Sequence, residues 1–173
     1  MSKAPRIKAD RETKDETKAG SYFVSNYPPF AFWNDSDTQC VESMVNSPKP
    51  SQRPLGLYYH VPFCRKRCHF CYFRVYTDKS TKEIRRYLAA TLKELQAYAD
   101  SPYLQGRKPE FVYFGGGTPS SLSVKDLISL TDEMKRILPW DMAEEVTFEC
   151  EPGTLTEKKL EAIKNFGVTR LSL

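Results

Sequence analysis

From Leu55 onward the apolar residues alternate between two spacings: short β-branched and aromatic runs, and longer stretches with an apolar residue every three or four positions. Leu55–Val61 is the first short run and predicts a strand, closed by Pro62. Ser80-Thr81-Lys82-Glu83 has the S-x-x-E form of a capping box, in which serine and glutamate each satisfy a backbone N–H at a helix start. It opens a predicted helix with Ile84, Tyr87, Leu88, Leu92, Leu95 and Ala99 on one face. Phe111–Phe114 predicts a second strand that runs into Gly115-Gly116-Gly117-Thr118-Pro119. A second helix starts near Ser123, places Leu127, Ile128, Leu130, Met134, Ile137 and Leu138 on its buried side, and stops at Pro139. Val146–Cys150 predicts a third strand, ended by Pro152-Gly153. A shorter third helix carries Leu160, Ile163 and Phe166 and is terminated by Gly167. A fourth strand begins at Val168, and Leu173 still lies inside it.

This order, β-α-β-α-β-α-β, calls for parallel strands joined by crossover helices, in a sheet either doubly wound or rolled into a barrel. A last strand without a following helix leaves apolar surface and backbone groups exposed. The expected fold is therefore α/β, with 55–173 as the front part of a longer β/α domain. Residues 1–54 read as an N-terminal extension. Within it, 1–20 is rich in Lys, Arg, Asp and Glu with almost no large apolar side chains, and is expected to be disordered. Residues 21–35 crowd Tyr22, Phe23, Tyr27, Phe30, Phe32 and Trp33 around Pro28-Pro29, which suggests an extended arm packed on a body, with a substrate-facing role as the alternative. The Pro- and Ser-rich stretch 46–54 reads as a linker.

Composition narrows the classes. The chain has 173 residues, enough for one domain with a core, and a net charge of +4 too mild to imply nucleic-acid binding. No apolar run is long enough to span a membrane, and the N-terminus lacks the apolar segment of a secretory signal. Five cysteines, three of them at Cys64, Cys68 and Cys71, make a poor disulfide framework and a good metal cluster, so a reducing, cytoplasmic location is expected.

In a barrel the working residues gather at the C-terminal ends of strands, and here the unusual residues fall there. Cys64, Cys68 and Cys71 follow the first strand, Gly115–Pro119 the second, and Glu149 and Glu151 end the third. Structural zinc usually joins two separate knuckles, and a second knuckle is missing here, although His60, His69 or Cys150 could serve as a fourth ligand. Three thiolates on one loop better describe a 4Fe–4S cluster with one iron open to another ligand. If Glu149 faces the lumen, Cys150 faces the helices as a core thiol. The glycines would let a ligand or a second backbone approach closely, or form only a tight turn. A carboxylate at Glu149 is costly in an apolar strand unless paired, and it fits either a ribose or a salt bridge to a lumen cation.

The cysteine word C-x3-C-x-aromatic-C, followed by GGGTP after the next strand, resembles the radical S-adenosylmethionine superfamily. Within it, Tyr58-Tyr59-His60-Val61-Pro62-Phe63-Cys64, Tyr113-Phe114-Gly115-Gly116-Gly117-Thr118-Pro119-Ser120 and Gly167-Val168-Thr169-Arg170-Leu171-Ser172-Leu173 resemble the oxygen-independent coproporphyrinogen III oxidase and heme chaperone family. The resemblance covers about 55–173 and implies that these residues are the N-terminal portion of the core domain, the first part of a partial TIM-like (β/α) barrel with parallel strands. It implies that Cys64, Cys68 and Cys71 bind a 4Fe–4S cluster whose open iron is chelated by S-adenosylmethionine. It further implies that Phe70 packs beside the adenine, Tyr58 contacts the cofactor, Gly116, Gly117 and Thr118 hold its methionyl end, and Glu149 its ribose. The implied reaction is reductive cleavage of S-adenosylmethionine to a 5′-deoxyadenosyl radical in porphyrin or heme metabolism. The implied partners are a small-molecule substrate such as a porphyrinogen or heme, and an electron donor such as flavodoxin or ferredoxin. The family's oxidases carry a further cysteine two residues after the third, where this chain has Phe73. Phe there is similar to the heme chaperones and to methyl-transferring or cyclopropane-forming relatives.

Overall fold

The computed structural model describes residues 34–47, 53–71 and 73–173. The expectations for the tail, the aromatic arm up to Trp33 and the middle of the linker fall outside these residues. The described residues divide into two units at Cys40–Val41. The first described element, α1 (Asp35–Val45), was not expected from the apolar pattern, which read this region as arm and linker. None of its residues is buried, although Cys40, Val41, Met44 and Val45 fall at helical spacing. Its signal is local: the Asn34 side-chain oxygen accepts the Ser36 N–H, Asp37 accepts the Asn34 N–H, and acidic residues fill the first turn.

The second unit contains the expected alternation. In chain order it runs β1 (Gly56–Val61), α2 (Thr81–Ala99), β2 (Phe111–Gly116), α3 (Val124–Ile137), β3 (Glu145–Glu149), α4 (Glu157–Asn165) and β4 (Arg170–Ser172). Both halves of the Ser80–Glu83 capping box form at the start of α2, and Ser123 and Thr156 cap α3 and α4. All strand pairs are parallel, and the sheet order is β1-β2-β3-β4. A doubly wound sheet reverses its strand order part-way; this one advances steadily, as a barrel does.

One face of the sheet is apolar and covered by helices. Tyr59, Val61, Val112, Phe114, Val146 and Phe148 are buried there. Phe114 lies at the centre, its ring 5.5–6.1 Å from those of Tyr59, Phe148, Phe166 and Trp140. The register pairs Tyr58 with Tyr113 and Tyr113 with Thr147, so the opposite face carries Tyr58, His60, Tyr113, Thr147 and Glu149. Leu171, opposite Phe148 in the register, belongs to the apolar face and is 41% exposed.

Two predicted core positions are corrected. Ile128 of α3 and Leu160 of α4 are exposed, while Asp126 and Lys159 are buried. Each polar residue has a partner that draws it inward: Arg85 and Ser123 for Asp126, the Ser120 carbonyl for Lys159. Cys150 lies just past β3 and is buried in the apolar cluster. Among the described residues no helix is long and apolar enough to cross a membrane.

Candidate functional site

The loop after β1 is closed at its base. Tyr76 N–H donates to the Pro62 carbonyl at 2.9 Å, and Cys64 N–H donates to the Tyr76 carbonyl at 3.0 Å. Phe63, buried below, meets the ring of Tyr87 edge-on at 5.2 Å. The loop thus begins and returns at one place at the sheet's rim. Inside it, Cys71 N–H donates to the Cys68 carbonyl at 3.1 Å, and the Arg67 guanidinium donates to the Cys71 carbonyl at 2.8 Å. All three cysteines are free thiols; Cys64 and Cys71 are half-buried and Cys68 is exposed. Among the described residues no three Cys, His, Asp or Glu side chains converge closely enough to hold a metal ion.

The end of β2 lies directly against the first cysteine. Gly117 N–H donates to the Val61 carbonyl and Thr118 N–H to the Phe63 carbonyl, both at 2.8 Å. The Thr118 hydroxyl donates to Cys64 Sγ at 3.3 Å. A Cβ on Gly117 would lie 2.9 Å from that sulfur. Burial pushes the Cys64 thiol pKa up, and the Thr118 hydroxyl opposes this by favouring the thiolate. Gly116 has a φ of +115°, which glycine adopts freely.

Glu149 reaches the same rim from β3. The Tyr113 hydroxyl donates to its Oε1 at 2.7 Å, and the Gly116 N–H donates to its Oε2 at 3.0 Å. Its partners are thus a phenol and a peptide group. Next to Tyr113 stands Tyr58, ring centroids 6.0 Å apart, whose hydroxyl is hydrogen-bonded to His60 Nδ1 at 2.9 Å. The bond to Glu149 raises the Tyr113 pKa to about 12. Burial lowers the pKa of His60 while nearby Glu149 opposes that shift.

Beneath the rim, Ser120 ties the ends of β2 and β3 together. It is fully buried, and its hydroxyl oxygen accepts the Glu151 N–H at 2.9 Å and the Thr154 hydroxyl at 2.6 Å. Lys159 donates to its carbonyl at 2.5 Å.

Of the residues singled out from sequence, Gly116 and Glu149 meet directly, and Gly117 and Thr118 meet Cys64. Tyr58 approaches Glu149 through Tyr113. Phe70 is not drawn in: it is 87% exposed and lines a cavity of about 580 Å³ with Cys68, Thr118 and Glu151. Sequence reasoning missed Tyr113, Ser120 and Lys159 as supports of the site. Strand periodicity offered a signal for Tyr113, since it places this residue on the face opposite Phe114.

A family model described as the radical SAM superfamily matches residues 58–173. The chain belongs to that superfamily. Among its relatives is a heme chaperone, HemW, of Haemophilus influenzae, 33% identical over 128 residues, which are 72% of this chain and 33% of the relative. An oxygen-independent coproporphyrinogen III oxidase of Synechocystis is 25% identical over 170 residues, 97% of this chain and 36% of the relative. The solved structure of the Escherichia coli coproporphyrinogen III oxidase HemN, described as a radical SAM enzyme, matches with a TM-score of 0.71 and 26% identity, covering 86% of this chain and 34% of that one. The chain spans about a third of the length of these relatives. The four parallel strands and their helices are the fold expected from the sequence, and they match this radical SAM structure.

Proposed function

We propose that residues 55–173 are the cofactor-binding portion of a radical SAM protein of the coproporphyrinogen III oxidase and heme chaperone type. In this reading Cys64, Cys68 and Cys71 hold a 4Fe–4S cluster, and 1–54 is an extension outside the core domain. Tyr58, Phe70, Gly116, Gly117, Thr118 and Glu149 bind S-adenosylmethionine. The observation that carries the reading is the meeting at one rim of the first cysteine, the glycine turn and an acidic acceptor: Thr118 bonds to Cys64 while Gly116 bonds to Glu149.

The residues fit the two groups. Three thiols on a loop pinned at its base suit a cluster with one iron free for another ligand. The missing side chains at Gly116 and Gly117 let His60 and the start of the cysteine loop close against the β2 turn, where a Cβ would meet them at 2.7 and 2.9 Å. Glu149, with one protein donor on each oxygen, keeps lone pairs for hydroxyl groups. What the cluster and S-adenosylmethionine supply when bound is a 5′-deoxyadenosyl radical for hydrogen abstraction. The protein's part is placement: Thr118 steadies the Cys64 sulfur, Gly117 brings the β2 turn against it, and Glu149 orients the nucleoside. A small molecule such as a porphyrinogen or heme is the proposed substrate, and a flavodoxin or ferredoxin the electron donor.

The test is anaerobic iron–sulfide reconstitution of the intact protein, followed by dithionite and S-adenosylmethionine. The expected product is 5′-deoxyadenosine, lost in Cys64→Ala, Cys68→Ala and Cys71→Ala. Undiminished release in all three variants would contradict the reading. A second reading, a heme-binding chaperone without oxidase turnover, is favoured by Phe73, which stands where the oxidases of the resemblance have a cysteine. Saturable heme binding with no porphyrin product selects it; oxidative decarboxylation of coproporphyrinogen selects the oxidase.

A further inference from the structure

A carboxylate offers about four lone-pair directions, two on each oxygen. The protein itself occupies one on each oxygen of Glu149: Tyr113 donates to Oε1 at 2.7 Å and the Gly116 N–H to Oε2 at 3.0 Å. These two donors come from one strand, β2, and grip a side chain from its neighbour, β3. A carboxylate held by one donor alone still swings about its terminal torsion; held on both oxygens, its plane is fixed. The directions left over then lie one on each oxygen, a spacing that suits two hydroxyl groups on adjacent carbons.

Tyr113 can supply this grip throughout the physiological range. Its phenol pKa, pushed up to about 12 by the bond to Glu149, keeps the hydroxyl protonated and donating. Its position is set by the sheet, because the register places Tyr113 opposite Thr147, two residues before Glu149 on the same face. Tyr58, whose ring lies 6.0 Å away, flanks it on the β1 side.

We propose that Tyr113 is a positioning residue for S-adenosylmethionine, fixing the Glu149 carboxylate so that its remaining lone pairs accept the two ribose hydroxyls. This rests on the reading of Glu149 as the ribose acceptor. Phenylalanine at 113 keeps the ring and its packing but leaves the carboxylate held by one backbone N–H.

The test is a double-mutant cycle read by equilibrium dialysis of S-adenosylmethionine against the reconstituted, unreduced protein, where no turnover occurs. Tyr113→Phe is expected to weaken binding by roughly tenfold, the scale of one lost charge-assisted hydrogen bond. Glu149→Gln is expected to weaken it at least as much, and the double variant to bind no more weakly than Glu149→Gln alone. The same factor lost on adding Tyr113→Phe to the Glu149→Gln protein would overturn the proposal, because tyrosine would then act without the carboxylate. If Glu149→Gln binds as tightly as the parent, the ribose reading fails and takes the proposal with it. A readout free of any cofactor is the Gly116 amide resonance in the cluster-free protein. It should move in Tyr113→Phe as the carboxylate reorients, and an unmoved resonance would refute the coupling.

Discussion

A methyl group on Gly117 would sit 2.9 Å from the Cys64 sulfur, 2.9 Å from the Phe63 carbonyl oxygen and 3.0 Å from the Pro62 carbonyl carbon. Two of these atoms are backbone in a segment already fixed by hydrogen bonds, so the methyl must push the cysteine loop off the end of β2. Gly117→Ala should therefore lower the iron loaded per chain on reconstitution and cost about 1–3 kcal/mol of stability, as overpacking does. Gly116→Ala fails for a different reason. Its φ of +115° strains any residue with a Cβ, and that atom would meet the His60 ring at 2.7 Å. A loss of about 1–3 kcal/mol is expected in urea unfolding of the cluster-free protein. The sequence left these glycines as either a place of close approach by a ligand or second backbone, or only a tight turn. It could not show what came close, because Cys64 and His60 reach the turn only through strand pairing. Tyr113 escaped notice for the same reason: alternation gives its face, but only register gives Glu149 as its neighbour.

At the scale of elements, local chemistry was the most readable. The Ser80–Glu83 capping box forms as written, with Glu83 accepting from the Ser80 N–H at 2.9 Å. Ser80→Ala should cost about 1 kcal/mol, seen as a lower urea midpoint with an unchanged slope. Between α2 and α3, Arg85 Nε donates to Asp126 at 2.7 Å. Burial pushes the Asp126 carboxyl up, but the Ser123 hydroxyl and the Arg85 guanidinium together hold it below its usual value. A carboxyl lowered in the folded state contributes stability above its unfolded pKa, and that contribution fades as pH falls through the folded value. The Arg85 side chain is half exposed and screened, so Arg85→Ala should cost about 1 kcal/mol at pH 7. The cost should shrink as pH falls from about 4, where the unfolded Asp126 takes up its proton, through the lower folded value. Equal costs at pH 7 and pH 3 would contradict this account. Helical periodicity erred at Ile128 and Leu160 because it counts apolar residues and overlooks a polar residue with a buried partner. Lys159 is such a residue, turned inward by the Ser120 carbonyl. The helix α1 went unread although Val41, Met44 and Val45 fall at helical spacing, and none of its residues is buried.

Across the whole molecule, the sheet advances from β1 to β4 without reversing, so the C-terminal ends of its strands form one continuous rim. On that rim β1 presents the cysteine loop, β2 the glycine turn with Thr118, and β3 Glu149, each bonded to a neighbour. The alternation of parallel strands with helices and the rim positions were legible from the pattern; the strand order, which separates a barrel from a doubly wound sheet, was not. Nor were the links between the rim positions, because each crosses from one strand to the next. The central claim is that the three cysteines hold an iron–sulfur cluster rather than a single structural metal ion. Iron, zinc and acid-labile sulfide are therefore to be measured on protein purified and reconstituted without oxygen, beside a Cys64→Ala, Cys68→Ala, Cys71→Ala triple variant. The account predicts about four iron and four sulfide per chain, with both lost in the triple variant. About one zinc per chain, with neither iron nor sulfide above the level of that variant, would contradict it.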